Sequence, residues 1–98
     1  MAIRSFGDAG TADIAARRNT KAARATLPVR LHRIALQKLV LLDAAVVLAD
    51  LLAWPSLRLE KLKGDRRGQH SVRINKQYRI CFLWRADGPH NVEIVDYH

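Results

Sequence analysis

"HSVRINKQYRICFLW", residues 70–84, is the stretch on which the fold turns. Val72 and Ile74 fall on one side of an extended chain, with Ser71 and Arg73 on the other. Further along, Tyr78, Ile80, Phe82 and Trp84 alternate with Arg79 and Cys81. A period of two over this length predicts half-buried strands, and two such runs so close together predict a hairpin. Setting the apolar sides together pairs Ile74 with Ile80 and Val72 with Phe82. That register needs an odd-length loop, or a two-residue loop with a bulge, around residues 75–78. It also gathers Arg73 and Arg79 on the opposite side. An apolar back with a two-arginine front is a platform for phosphate.

Working outward, "LRLEKL" (57–62) alternates Leu57 and Leu59 against Arg58 and Glu60, and reads as a preceding strand. "NVEIVDYH" (91–98) reads as a following strand, entered from the turn "ADGPH" (86–90). "AIRSF" (2–6) predicts one more short strand. Between them, "LPVRLHRIALQKLVLLDAAVVLADLL" (27–52) carries the strongest helical signal. Pro28 suits a first helical position, and Pro55 ends the segment. Leu31, Ile34, Ala35, Leu41, Leu42 and Ala45 form its apolar face, with a pause expected near Asp43 and a second short helix at 46–52. Lys38 lies inside the apolar stripe, either snorkelling its ammonium outward or delivering a cation beside a site. Residues 7–26 have alanine as their main apolar residue. A short helix at 11–17, capped by Asp8 or Thr11, and then a basic irregular connection are expected there. The whole is a single α+β domain, residues 1–98. Its antiparallel sheet of four to five strands has N-terminal helices packed on one face, and the other face is open and cationic.

The composition agrees with a folded chain of this kind: 49% hydrophobic and 27% charged over 98 residues. Seventeen Lys and Arg against nine Asp and Glu give +8, which favours a polyanionic partner. Arginine outnumbers lysine, as bidentate phosphate contact favours. The cations are dense after residue 57: Arg58, Lys61, Lys63, Arg66, Arg67, Arg73, Lys76, Arg79 and Arg85 stand against only Glu60 and Asp65 up to residue 85. Cations at exposed strand positions also block edge pairing. A lone cysteine, Cys81, excludes an intrachain disulfide framework. No two of His32, His70, His90 and His98 have metal-ligand spacing, so neither metal nor other cofactor is expected. The first ten residues have no apolar signal core, and the apolar run 39–52 is interrupted by Asp43 and Asp50. A cytoplasmic protein with no membrane partner is expected.

The chemistry concentrates at the end of the chain. Asp96, Tyr97 and His98 follow one another on the last strand and offer a carboxylate, a phenol and an imidazole. Beside Lys63 and Arg79 they suit phosphodiester cleavage in RNA, where the 2′-hydroxyl is the nucleophile. Such a site needs a base, cations for the charge on the phosphorane and an acid for the leaving 5′-oxygen. "GDRRG" (64–68) lacks the spacing of a phosphate-binding P-loop.

"RLEKLKGDRRGQHSVRINKQYRICFLW" followed by "GPHNVEIVDYH" resembles the HigB branch of the RelE/ParE toxin superfamily, and within it the GraT-type toxins. "IRSF" and "LLDAA" fit the same pattern, whereas residues 7–27 match poorly. The resemblance implies a small toxin of a type II toxin–antitoxin system with a compact RelE-like fold. It implies ribosome-dependent endoribonuclease activity on mRNA in the A site, which halts translation. It also implies a HigA-type helix-turn-helix antitoxin, with operator DNA met only through the antitoxin complex. The family's active-site lysine falls on Lys63, its arginine on Arg79, and its terminal triplet on Asp96, Tyr97 and His98. Arg66, Arg73, His70 and Glu60 are the expected RNA contacts. Glu60 stands where better-known members carry histidine, which leaves the proton-transfer role open. A non-cleaving ribosome or RNA binder and a ParE-like gyrase poison are the alternatives.

Overall fold

The computed structural model describes residues 3–97. Three α-helices come first: α1 (Ala9–Ala15), α2 (Lys21–Thr26) and α3 (His32–Ala44). Short 3₁₀ turns then lead into the strands β1 (Glu60–Lys61), β2 (His70–Arg73), β3 (Tyr78–Arg85) and β4 (Gly88–Asp96). The strands form one antiparallel sheet in sequence order, so the α+β architecture expected from the sequence is the one observed. No helix among the described residues is long and apolar enough to cross a membrane.

The core lies between the helices and one sheet face. Val72, Ile80 and Ile94 form a cross-strand row on that face. They join Phe82 and Val92 against Ile14, Ala23, Leu27, Ala35, Leu39 and Leu42 of the helical layer. Asp8 is the cap of α1: its Oδ1 accepts from the Thr11 N–H at 2.6 Å. Thr11, itself fully buried, accepts the Ile94 N–H on its hydroxyl at 3.0 Å, which ties α1 to β4. Gly10 lets α1 and α2 meet, since a Cβ there would lie 2.6 Å from the Ala22 carbonyl oxygen.

Several expectations are corrected. The "basic irregular connection" contains α2, capped by the Thr20 hydroxyl and packed through Ala23. Alanine is enough here because the glycine-mediated approach leaves no room for more. Ile34 is exposed, and Leu39 takes the buried place expected of it. The predicted 2–6 strand reduces, over its described residues, to a single parallel bridge between Phe6 and Val92. The backbone bonds are Val92 N–H to the Ser5 carbonyl and Gly7 N–H to the Val92 carbonyl, and the Ser5 hydroxyl also accepts the Asn91 N–H. The strand expected at 57–62 shrinks to Glu60–Lys61. Residues 55–57 form a 3₁₀ turn, and Arg58 adopts a left-handed conformation (φ 45°, ψ 56°) that interrupts the extended run.

The hairpin register also differs. Val72 faces Ile80 and His70 faces Phe82, so each partner sits two residues from its expected place. The faces are unchanged because a two-residue slip preserves side-chain parity. Five residues, 74–78, separate the paired Arg73 and Arg79, the odd number that the apolar pattern required. Closure of the turn is local: Asn75 Oδ1 accepts the N–H groups of Gln77 and Tyr78 at 2.9 and 2.8 Å. That turn holds Arg73 opposite Arg79.

The second face of the sheet is not bare, contrary to expectation. Ser71 and Cys81 are fully buried on it, and Arg79 is only 9% exposed. The segment that follows β1 folds back, with Leu62 buried and its N–H donated to the Gln69 carbonyl.

Candidate nucleic-acid interface

Two cross-strand rows build this second face. Glu60, Ser71, Cys81 and Glu93 make one, and Arg73, Arg79 and Val95 make the next. An open depression of about 240 Å³ lies at their end, lined by Glu60, Arg73, Asn75, Lys76, Arg79 and Tyr97. Four of the residues singled out in the sequence, Glu60, Arg73, Arg79 and Tyr97, are therefore brought together.

Arg79 is the fixed point. Its Nε donates to the Ser71 hydroxyl at 2.6 Å, and its Nη2 donates to the Arg58 carbonyl at 2.7 Å. Glu60 Oε2 lies 3.6 Å from the same Nη2. Arg58 turns its carbonyl here because of its left-handed backbone, which costs a non-glycine residue about 1 kcal/mol. Buried charge is tolerated only when paired and hydrogen-bonded, and these contacts meet that need. Among the described residues, Nη1 makes no protein hydrogen bond, so one edge of the fork is left for a ligand. Arg73 faces Arg79 across the hairpin, is half-buried, and has no carboxylate partner among the described residues.

Tyr97 is 38% exposed, and its backbone N–H donates to the Gln77 carbonyl at 2.7 Å, which anchors the chain end beside the hairpin loop. Asp96 pairs with Tyr78 and so lies on the other side of the strand from Val95 and Tyr97; its Oδ2 accepts from Gln77 Nε2 at 3.0 Å. His98 lies outside the described residues.

The remaining residues lie apart from the depression. Lys63 is exposed at the start of the Gly64–Arg66 turn, three residues beyond Glu60, or ~10 Å of extended chain. Arg66 donates to Glu93 Oε1 at 2.7 Å and to Gln69 Oε1 at 3.1 Å. The hydrogen bond to Glu93 raises the Arg66 pKa and holds the guanidinium charged. His70 belongs to the core side: it stacks on Phe82 with ring centroids 6.3 Å apart, and its buried Nδ1 has no hydrogen-bond partner among the described residues. Burial, and secondarily Lys61, lowers its pKa. Burial likewise pushes the Cys81 thiol up, away from nucleophilic use. Among the described residues, no group of three His, Cys, Asp or Glu side chains could hold a metal ion.

Ser71 and the Arg58 carbonyl went unnoticed in the sequence. Ser71 carried a signal, since its parity with Arg73 placed it on the arginine face. The Arg58 carbonyl carried none, because nothing in "SLRLE" announces a left-handed residue.

Comparison with known proteins bears on the same residues. A family model described as "RelE-like toxin of type II toxin-antitoxin system HigB" matches residues 18–98. A relative from Vibrio cholerae serotype O1 (strain ATCC 39315 / El Tor Inaba N16961), "Toxin HigB-1", is 42% identical over 62 residues. The match covers 63% of this chain and 64% of the relative.

Proposed function

The chain belongs to the HigB-like family of RelE-like toxins of type II toxin–antitoxin systems, and from that premise we propose that it is a ribosome-dependent endoribonuclease. It cuts mRNA in the ribosomal A site, inhibits translation in the cytoplasm, and is neutralised by a HigA-type helix-turn-helix antitoxin. Operator DNA is reached only through the antitoxin complex.

The observation that carries this reading is the facing pair Arg73 and Arg79, with Glu60 and Tyr97 in the same depression. Ser71 and Arg58 hold Arg79 before any ligand arrives, so its free edge meets a phosphate oxygen with little ordering left to do. Arg73 closes on the same phosphate from the neighbouring strand. The 2′-hydroxyl attacks phosphorus and the 5′-oxygen leaves, giving a 2′,3′-cyclic phosphate and a free 5′-hydroxyl. Glu60 takes the 2′-hydroxyl proton, and His98 supplies the proton to the 5′-oxygen, oriented by Tyr97 and Asp96. Lys63 adds charge stabilisation from its flexible stem, and Arg66 holds the flanking RNA backbone. No metal takes part in these steps.

One observation favours a second reading. Arg79 is engaged by Ser71, Arg58 and Glu60, as a structural anchor would be, and that suits a binder that occupies the ribosome without cutting.

The test is cleavage of a translated message by the parent, by Arg79→Ala and by a chain lacking His98. Both variants are expected to cut far more slowly. Cleavage by both at the parental rate removes this site from the chemistry.

A further inference from the structure

The helical layer carries a second surface that the sheet face does not use. Arg33, Leu36 and Val40 follow one another along α3 at spacings of three and four, which is one stripe of a helix, and Val29, on the 3₁₀ turn just before it, stands at the head of the stripe. The stripe is not the core face, which is carried by Ala35, Leu39 and Leu42. Val29 and Val40 are each 49% exposed, and Leu36 is half-buried between them. Two adjoining depressions, of about 340 and 190 Å³, run along this stripe and share Arg17 and Leu36 as a common wall. The result is a groove with an apolar floor between α3 and the end of α1.

The rim of the groove is cationic. Arg17, Arg18 and Arg33 are all exposed, and none makes a salt bridge among the described residues. Asp43 lines the far end of the groove, where its Oδ1 accepts the Ile3 N–H; the other acids of this half are engaged elsewhere, Asp8 by Thr11, Asp13 by the Thr20 hydroxyl and Asp50 by the Val46 and Val47 N–H groups. Arg17 also sits at φ 61°, just past the end of α1, where glycine is the residue of least strain. A side chain is kept there at a backbone cost, and that side chain is the shared wall of the groove.

A nucleic-acid backbone would use the arginines and gain nothing from the valines. A helix with an apolar stripe flanked by carboxylates uses both. We propose that this groove seats an acidic, amphipathic segment of the antitoxin, on a different surface from the RNA-binding depression. The choice of the antitoxin as occupant rests on the toxin–antitoxin reading; the chemistry of the seat does not.

The test is titration of the purified protein with a HigA-type helix-turn-helix antitoxin, the partner proposed above. Arg33→Glu and Val40→Ser are expected to weaken binding by about tenfold or more each, and Arg33→Glu to flatten its salt dependence. Both positions are exposed, so thermal unfolding and mRNA cleavage stay at the parental values. Leu52→Ser, in a separate exposed apolar patch, binds as the parent does. Parental affinity in both groove variants overturns the proposal, as does loss of binding confined to Leu52→Ser. Weaker RNA binding with unchanged antitoxin binding overturns it in favour of a second nucleic-acid surface. A parent that does not bind the antitoxin at all refutes the toxin–antitoxin reading, and the assignment of the groove falls with it.

Discussion

Arg73 and Arg79 face each other directly across the β2–β3 hairpin. Two like charges at paired strand positions repel, and among the described residues Glu60, 3.6 Å from Arg79, is the carboxylate that offsets them. A fold selected for stability alone would not keep this pair. A polyanion between the two guanidinium groups would turn the repulsion into a clamp.

Arg73→Ala therefore separates stability from function. Removing the half-buried, unpaired arginine relieves the repulsion and is expected to raise stability by about 0.2–1 kcal/mol. The same change removes a phosphate contact. RNA binding should weaken, and the slope of log affinity against log salt should fall by about one. Denaturant midpoints and a salt series of RNA titrations check both halves. A variant that is less stable and binds RNA with the parental slope contradicts this role.

Ser71 was not a candidate in the sequence, yet its hydroxyl accepts the Arg79 Nε–H in a buried site. Ser71→Ala leaves that charged donor unpaired. The expected loss is about 1–3 kcal/mol of stability, with cleavage falling as Arg79 loses its orientation. Urea unfolding with an unchanged m-value would register it. Parental stability would mean that the Arg58 carbonyl, with Glu60 and the Ser71 carbonyl, is enough to hold the guanidinium.

His70 is expected to make the fold sensitive to acid. Its pKa is lowered in the folded state, first by burial and then by Lys61. The unfolded chain therefore binds the proton more readily, and the stability present above about pH 6.5 is lost as pH falls through the lowered folded value. His70→Gln should flatten the pH dependence of the unfolding temperature between pH 7 and pH 5. An unchanged slope would assign the dependence to another group.

The faces of the sheet were legible because alternation fixes which side each residue takes. Parity held for Val72, Ile80, Arg73 and Arg79 even though the pairing slipped by two. The slip itself was not legible, because it depends on Asn75 folding its side chain back onto Gln77 and Tyr78. Parity could have done more. It placed His70 with Val72 on the core side, away from the arginines, and the stacking on Phe82 follows from that. Helix α2 was missed because its burial rests on Ala23 and on the close approach at Gly10, not on large apolar residues. Of the candidate site, the arginines, Glu60 and Tyr97 were visible by residue type. The Arg58 carbonyl was not, since its position is set by backbone geometry rather than by side-chain pattern.

Primer extension on a message translated in the presence of the protein tests most directly the proposal that the Arg73–Arg79 depression cuts RNA on the ribosome. New 5′ ends are expected at codons in the ribosomal A site, absent when ribosomes are left out and strongly reduced with Arg79→Ala. Stalled ribosomes on intact message, or DNA damage that depends on gyrase, would contradict it.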